Sequence, residues 1–233
     1  MRLWLRVSCR VVGLFFHLIA RPSIVGGENI PLQDGVVLAS NHISLLDTLL
    51  IPYSVMTIRG VQFVWSPAKA ELFELPVIGR ILNSWGAFPV RRGRGDLRAM
   101  RRIRAHMKTG KVMLFPEGTR HSDGRLGKGK RTIGKLIYNA RPVVVPLAVW
   151  GTNQVWPKSR RLFRWRPPVG VRYGQPLDLE SYYTLPDTKE TAEAIVGEIM
   201  RAIARQVELH ESSVTSATRS GLSGERSNGS SAV

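Results

Sequence analysis

The sequence predicts an α/β fold: a mixed, largely parallel sheet flanked by helices, with an N-terminal amphipathic helix that associates with membrane. Three observations carry that expectation. Short apolar, β-branched runs recur at 36–38, 111–115 and 142–149, and unbroken apolar runs of this length suit strands buried on both faces. Stretches with apolar residues at helical spacing stand between them, as in the crossovers of a parallel sheet. Glycine or proline marks the junctions, among them Gly110, Pro116 and Pro142, where one element must stop before the next begins.

Length and composition set the frame. The 233 residues, 43% of them apolar, are enough for one domain with a substantial core. The single cysteine, Cys9, excludes a disulfide-built scaffold and fits a reducing compartment. The formal charge is +17, unevenly spread: Met1 to Arg172 carries 29 basic and 8 acidic residues, or +21, and Tyr173 to Val233 carries 5 and 9, or −4. So basic a body implies an anionic partner. Membrane surface and nucleic acid both satisfy that at this level, although no nucleic-acid motif is present.

The opening stretch, 1–21, alternates arginines with large apolar residues. Arg6, Arg10 and His17 interrupt it, so it lacks the roughly 20 predominantly apolar residues that a spanning helix needs. No small-residue cleavage site marks a signal peptide. A helix lying in the membrane interface is expected over 1–25, with Trp4 and Phe15 in the apolar layer and the arginines at lipid phosphates.

The main domain is expected over 26–210. Val36-Val37-Leu38 reads as a strand and Leu45, Leu46, Leu49 and Leu50 as the helix after it, which puts His42 at the turn between them. A strand follows at 61–65, a helix or helix-loop over 67–82 broken near Pro76 and Gly79, and a strand at 85–90. Asp96 can cap a helix with the apolar stripe Leu97, Met100, Ile103 and Met107, closed by Gly110. Eight basic residues against one acidic between Arg91 and Lys108 suit phospholipid head groups.

After the strand at 111–115, Gly127-Lys128-Gly129-Lys130-Arg131 resembles a phosphate loop in composition but lacks the P-loop spacing. A helix at 132–139 and a buried strand at 142–149 come next. The segment 158–172 holds six basic residues and no acid, with Phe163 and Trp165 interleaved and Trp156 just before it, a mixture suited to a membrane interface or single-stranded nucleic acid. Asp187, with Glu190 three positions on, reads as a capping box for a structural helix that buries Ala192, Ile195, Val196, Ile199 and Ile203. The tail, 211–233, is rich in Ser, Gly, Thr and Asn and is expected to stay unfolded.

Chemistry concentrates at three strand ends. A carboxylate on one imidazole nitrogen fixes the tautomer and stabilises the imidazolium, so His42 with Asp47 can form a general base; taken alone, the pair also fits a capped turn. No serine or cysteine is placed as its client, so the proton would come from a substrate hydroxyl. The strand at 85–90 ends in Arg91-Arg92. The strand at 111–115 ends in Pro116-Glu117-Gly118-Thr119-Arg120, where glycine permits close backbone approach and arginine offers a fork to phosphate oxygens. Glu117 would repel a phosphate, so it is expected to bond a substrate hydroxyl or hold an arginine. No second histidine or carboxylate completes a metal cluster near His42, and no metal is expected.

In this order and spacing the motifs resemble the glycerolipid acyltransferase superfamily, most closely its bacterial 1-acyl-sn-glycerol-3-phosphate acyltransferases. Asn41-His42-Ile43-Ser44-Leu45-Leu46-Asp47 is similar to the family's NHxxxxD, and Phe115-Pro116-Glu117-Gly118-Thr119-Arg120 to its FPEGTR block. Gly86 with Arg92 six positions on looks like the second block, and Val144-Val145-Pro146-Leu147 like the fourth. The likeness covers roughly 32–151. Arg91 and Pro89 depart from the usual second block, which leaves open whether Arg91 or Arg92 reaches a phosphate.

The resemblance implies acyl transfer from acyl-CoA or acyl-ACP to the free hydroxyl of 1-acyl-sn-glycerol-3-phosphate, giving phosphatidic acid. His42 and Asp47 would be the catalytic pair, and Asn41, Lys69, Arg92, Glu117, Gly118, Thr119 and Arg120 would contact substrate. No cofactor is implied beyond the acyl thioester as co-substrate. The implied partners are the lysophospholipid and an anionic phospholipid membrane, at the cytoplasmic face of the cell membrane in peripheral or monotopic form. An acyltransferase with another lysolipid acceptor is the alternative, as is a non-catalytic basic protein that binds membrane or nucleic acid; intact His42 and Asp47 weigh against the last.

Overall fold

The computed structural model describes residues 2–91, 96–155 and 165–227. Its strands are β1 (Arg21–Val25), β2 (Val36–Ser40), β3 (Val64–Lys69), β4 (Ala87–Val90), β5 (Lys111–Leu114), β6 (Val143–Trp150) and β7 (Pro168–Tyr173). The helices are α1 (Arg2–Ile19), α2 (Asp47–Arg59), α3 (Pro76–Ser84), α4 (Leu97–Thr109), α5 (Arg131–Ala140) and α8 (Lys189–Ser227), with single turns α6 (Thr152–Val155) and α7 (Glu180–Tyr183). One sheet joins the strands in the order β1-β7-β6-β2-β5-β3-β4. Neighbours are parallel except β6 and β7. The sheet is therefore mixed and largely parallel, with helices on both faces.

β2 lies at the centre, where successive residues point to opposite faces. Val37 and Ala39 join Val112, Leu114 and Val144 under α4, α5 and α8, packed on Ile103, Met107, Leu136, Ile137, Ile195 and Ile199. Val36 and Leu38 join Met113 and Val145 under Ile51 and Val55 of α2. Both faces are covered, which is why β2, β5 and β6 read as unbroken apolar runs. α1 lies over α2, with Phe16 packed on Leu50 and stacked against Tyr53 at 6.0 Å. Ala39 is level with Leu114 on one side and Pro146 on the other. The turns leaving β2, β5 and β6 thus emerge side by side at the carboxyl edge of the sheet, where open α/β sheets place their ligands.

Several elements differ from expectation, each for a local reason. Pro67 lies inside β3 and not in a helix. Ser66 N donates to Gly86 O of the β4 side at 3.2 Å, so the missing Pro67 N–H falls on the β5 side, beyond the two β3 residues, Val64 and Trp65, that pair with β5. The helix starts only at Pro76, where a proline in the first turn costs no hydrogen bond. β1 occupies 21–25, so the N-terminal helix ends at Ile19 and the membrane-interface segment expected over 1–25 is part helix, part edge strand. β7 falls in the segment read as basic and aromatic; Trp156 and Phe163 lie outside the described residues, and Trp165 is exposed.

Asp96 caps α4 as expected, accepting from Ala99 N at 3.0 Å, but Leu97 points to solvent and the buried stripe is Ala99, Ile103 and Met107. Gly110 ends α4 in an extended conformation, φ −162°, and its missing Cβ leaves room for the Trp65 ring. The start of α8 is capped by Thr188, whose Oγ1 accepts from Thr191 N at 3.2 Å. Asp187 is drawn off into an ion pair with Lys135. α8 also continues to Ser227, into the stretch composition predicts as unfolded. Its side chains from 211 to 216 are exposed, so this extension rests on backbone bonds and on hydroxyls such as Ser212 and Thr215, which donate to the carbonyls four residues earlier.

Candidate active site

The turn after β2 carries the densest polar network at this edge. Asp47, fully buried, opens α2 and folds its carboxylate back over the turn. Its Oδ2 accepts from His42 Nδ1 at 2.9 Å and from the backbone N–H groups of Ile43 and Ser44, both at 2.8 Å. Thr152 Oγ1, at the start of α6, donates to Oδ1 at 2.5 Å. A buried carboxylate is tolerable only with such partners, and four donors leave Asp47 as acceptor throughout. Nδ1 of His42 therefore carries a proton, and Nε2 is left with a free lone pair. The Phe115 ring stacks on the imidazole at 3.8 Å between centroids and 14° between planes, which fixes the plane of the ring.

The turn after β5 clamps this arrangement. Glu117, buried, accepts from His42 N at 2.9 Å through Oε1 and from Gly127 N at 2.7 Å through Oε2. His121 Nε2 stands 3.5 Å from Oε2, and His121 N donates to His42 O at 2.8 Å. Of the two expectations for Glu117, the arginine is not met among the described residues: its oxygens meet backbone amides and a histidine. Asn41 also meets backbone: its amide makes a two-way bond to β6, accepting from Val149 N at 2.8 Å and donating to Val149 O at 3.0 Å, so it ties two strand ends.

His42 lines a cavity of about 350 Å³. Arg91, Asp96, Gly118 and Lys130 line it together with an apolar set: Val90, Met100, Ile103, Leu114, Ile133 and Leu136. Gly118 turns with φ +68°, a left-handed conformation that favours glycine, and its N–H closes the turn on Phe115 O at 2.9 Å. Thr119 and Arg120 are exposed on the outer arm of this turn. Arg92 lies outside the described residues. Arg91 stands on the cavity rim, its N–H donating to Asp96 Oδ2 at 3.2 Å. Lys69 ends β3 half exposed and paired with Glu71 at 3.3 Å; its neighbours Pro67 and Ala68 line the cavity and it does not. Among the described residues no three His, Cys, Asp or Glu converge as a metal site would require.

Comparison with known proteins fits this geometry. A family model described as Acyltransferase matches residues 21–150, more than half of the chain, including the turns after β2 and β5. The chain belongs to this acyltransferase family. Curated relatives include a chloroplast protein of Arabidopsis thaliana named 1-acyl-sn-glycerol-3-phosphate acyltransferase, 33% identical over 140 residues, which are 58% of this chain and 37% of that protein. A chloroplast relative of the same activity name from Brassica napus is 31% identical over 67% of this chain and 43% of its own length. The chain thus spans about two fifths of the length of these relatives. A Bacillus subtilis protein of that name is 28% identical over 71% of this chain and 78% of its own. The crystal structure of the 1-acyl-sn-glycerophosphate acyltransferase of Thermotoga maritima shares the fold: TM-score 0.63 over 86% of this chain and 79% of that one, at 22% identity.

Thr152, Phe115 and Lys130 are site residues that sequence reading of this acyltransferase passed over. Phe115 stood inside the FPEGTR block but was read as the end of a strand. Lys130 stood in a loop set aside for its spacing. Thr152 lies 105 residues from Asp47 and carried no local signal.

Proposed function

We propose that the protein transfers an acyl chain from an acyl thioester, carried by coenzyme A or acyl carrier protein, to the free hydroxyl of 1-acyl-sn-glycerol-3-phosphate. The observation that carries this reading is the Asp47-bound imidazole whose Nε2 is free at a largely apolar cavity that two cations, Arg91 and Lys130, and one carboxylate, Asp96, also line. His42 Nε2 takes the hydroxyl proton as the oxygen attacks the thioester carbonyl, and Asp47 stabilises the imidazolium. The tetrahedral intermediate collapses with loss of the thiolate, which takes the proton back from Nε2. Ester, thiol and regenerated imidazole balance the reaction without an acyl-enzyme. Base catalysis of this kind contributes ~10²–10⁴ in rate, and holding both substrates in one cavity supplies a further part. The names of the relatives support the choice of acceptor, and Met100, Ile103 and Leu136 offer an acyl chain an apolar wall.

α1 supports a location at a membrane surface. Its inner stripe, including Leu5 and Phe16, is buried on the domain, and Phe15 is half-buried against Phe16. Its outer stripe of Leu3, Trp4, Val7, Val11, Leu14 and Leu18 is exposed, between Arg6, Arg10 and His17. No described helix is long and apolar enough to cross a membrane, and an exposed apolar stripe flanked by cations suits a helix lying in an anionic interface. Replacing Val11, Leu14 and Leu18 with glutamine, which spares the packed stripe, is expected to release the protein from vesicles containing anionic lipid; unchanged co-sedimentation would contradict the assignment.

The test of the activity is a panel of lysolipids offered to purified protein with a labelled acyl thioester, the product being identified by mass. Phosphatidic acid as the main product is expected. A different acylated lysolipid would move the acceptor, and no acylated product from any acceptor would overturn the reading.

A further inference from the structure

Lys130 belongs to the glycine-lysine loop that the proposed reaction leaves without a role. Its backbone is anchored beside the turn after β5, Lys130 N donating to Pro116 O at 2.9 Å. From there its side chain runs across the glycine of that turn. A Cβ on Gly118 would lie 2.6 Å from Lys130 Cε, 2.7 Å from Nζ and 2.8 Å from Cδ. The glycine therefore does more than permit the left-handed turn, because it also keeps open the path along which the ammonium reaches the cavity wall it shares with His42 and Gly118. Glu117, the carboxylate nearest in sequence to that crossing, is already bonded to the His42 and Gly127 amides. Among the described residues Lys130 has no ion-pair partner. Asp96, the carboxylate that also lines this cavity, accepts from the backbone N–H groups of Arg91 and Ala99, and an ammonium outside any ion pair among the described residues is a site for an anionic oxygen.

We infer that Lys130 is a further substrate-binding residue, its ammonium meeting the phosphate of the acceptor. This rests on the functional reading above and assigns a cation to the acceptor side of the site. The acceptor is favoured over the donor by connectivity. In a 1-acyl-glycerol 3-phosphate the reacting hydroxyl and the phosphate ester sit on adjacent carbons, so an acceptor whose hydroxyl meets His42 Nε2 must hold its phosphate within the same cavity. The phosphates of an acyl thioester are separated from its carbonyl by the long pantetheine arm, and a cavity of about 350 Å³ does not hold both ends.

The test uses the full chain with Lys130→Met, which keeps the aliphatic stem, and Lys130→Arg, which keeps the charge; thermal unfolding checks that both fold. Initial rates are measured with 1-acyl-glycerol 3-phosphate, with phosphate-free 1-acylglycerol, and against acyl-thioester concentration. The expected result for Lys130→Met is a KM for the phosphorylated acceptor raised about tenfold or more, as loss of a bond to a charged group implies. The KM for the thioester and the rate with 1-acylglycerol should stay unchanged, and Lys130→Arg should recover most of the loss. An unchanged KM for the phosphorylated acceptor, an equal loss with both acceptors, or a rise confined to the thioester would overturn the inference. Calorimetric binding of a short-chain lysophosphatidate to wild type and Lys130→Met is run in parallel. If the wild type acylates nothing, the functional reading fails, and weaker binding by the variant still supports the lysine while equal binding overturns it.

Discussion

Two buried charged groups sit at opposite edges of the same central strands, and they are built differently. At the amino edge, Lys111 opens β5 with 1% of its surface exposed; its Nζ donates to Leu32 O at 3.2 Å and Gln33 O at 3.0 Å and stands 3.5 Å from Asp34. All of these partners belong to one short stretch of the protein, and the group lines no cavity described here. At the carboxyl edge, Asp47 is just as enclosed, and the group it holds is buried too but lines a cavity: His42 spends Nδ1 on Asp47 and leaves Nε2 uncommitted. Burial and charge are common to both. A residue placed for chemistry differs from one placed for stability in keeping one valence free.

That contrast can be broken from either side. Lys111→Met removes the charged donor that the carbonyls of the exposed residues Leu32 and Gln33 share, a loss of about 1.5 kcal/mol, the low end for bonds to a charged group. It should lower the urea midpoint while acyl transfer per folded molecule stays at the wild-type level; a loss of turnover in the folded variant would erase the distinction. Thr152→Val tests the other edge. It keeps the volume but removes the donor to Asp47 Oδ1, and kcat should fall about tenfold with KM for both substrates little changed, as a bond to a charged group suggests. Thr152→Ser should restore it. Failure of serine to rescue would mean that Thr152 acts through packing alone.

The smallest effect is expected at Asp96, a partly exposed charge that lines the cavity but whose oxygens meet backbone amides. Bonds from the Ala99 N–H first, and then from Arg91 N–H, hold its carboxyl below the usual carboxylate range. A group with a depressed folded value stabilises above its unfolded value and loses that contribution as pH falls through the folded one. Asp96→Ala should therefore have a lower Tm than wild type at neutral pH, and the gap should close as pH falls below about 4. A gap that stayed constant to acid pH would point to helix propensity and not to the charged cap.

Much of the carboxyl edge was legible because it is local. His42 and Asp47 are five residues apart, and Gly118 and Arg120 share their turn with Phe115, so strand-stop and turn chemistry expose them together. The central strands were legible for a related reason: burial on both faces leaves unbroken apolar runs at β2, β5 and β6. What sequence hid depends on distance or disguise. The partner of Asp47 is Thr152, brought level with it only because β6 lies beside β2. Lys130 reaches the cavity only by crossing Gly118. The first half of β3 was expected as a strand at 61–65, but its second half was hidden by Pro67, which a strand tolerates where its neighbour has already ended, and β1 and β7 were hidden by the proline and arginine of edge and near-edge positions. Asn41 and Glu117 were visible as polar motif residues, but whether such a group faces substrate or backbone is decided by where the neighbouring strand ends lie.

The central claim is that the free nitrogen of the Asp47-bound His42 drives acyl transfer to a lysophospholipid. The most direct measurement follows phosphatidic acid by mass as it forms from 1-acyl-glycerol 3-phosphate and a labelled acyl thioester, with wild type and His42→Ala side by side at matched folded concentration. Product is expected from wild type, with a rate lower by ~10²–10⁴ in the variant and an unfolding midpoint close to wild type. Product formed by His42→Ala at near the wild-type rate would contradict the account.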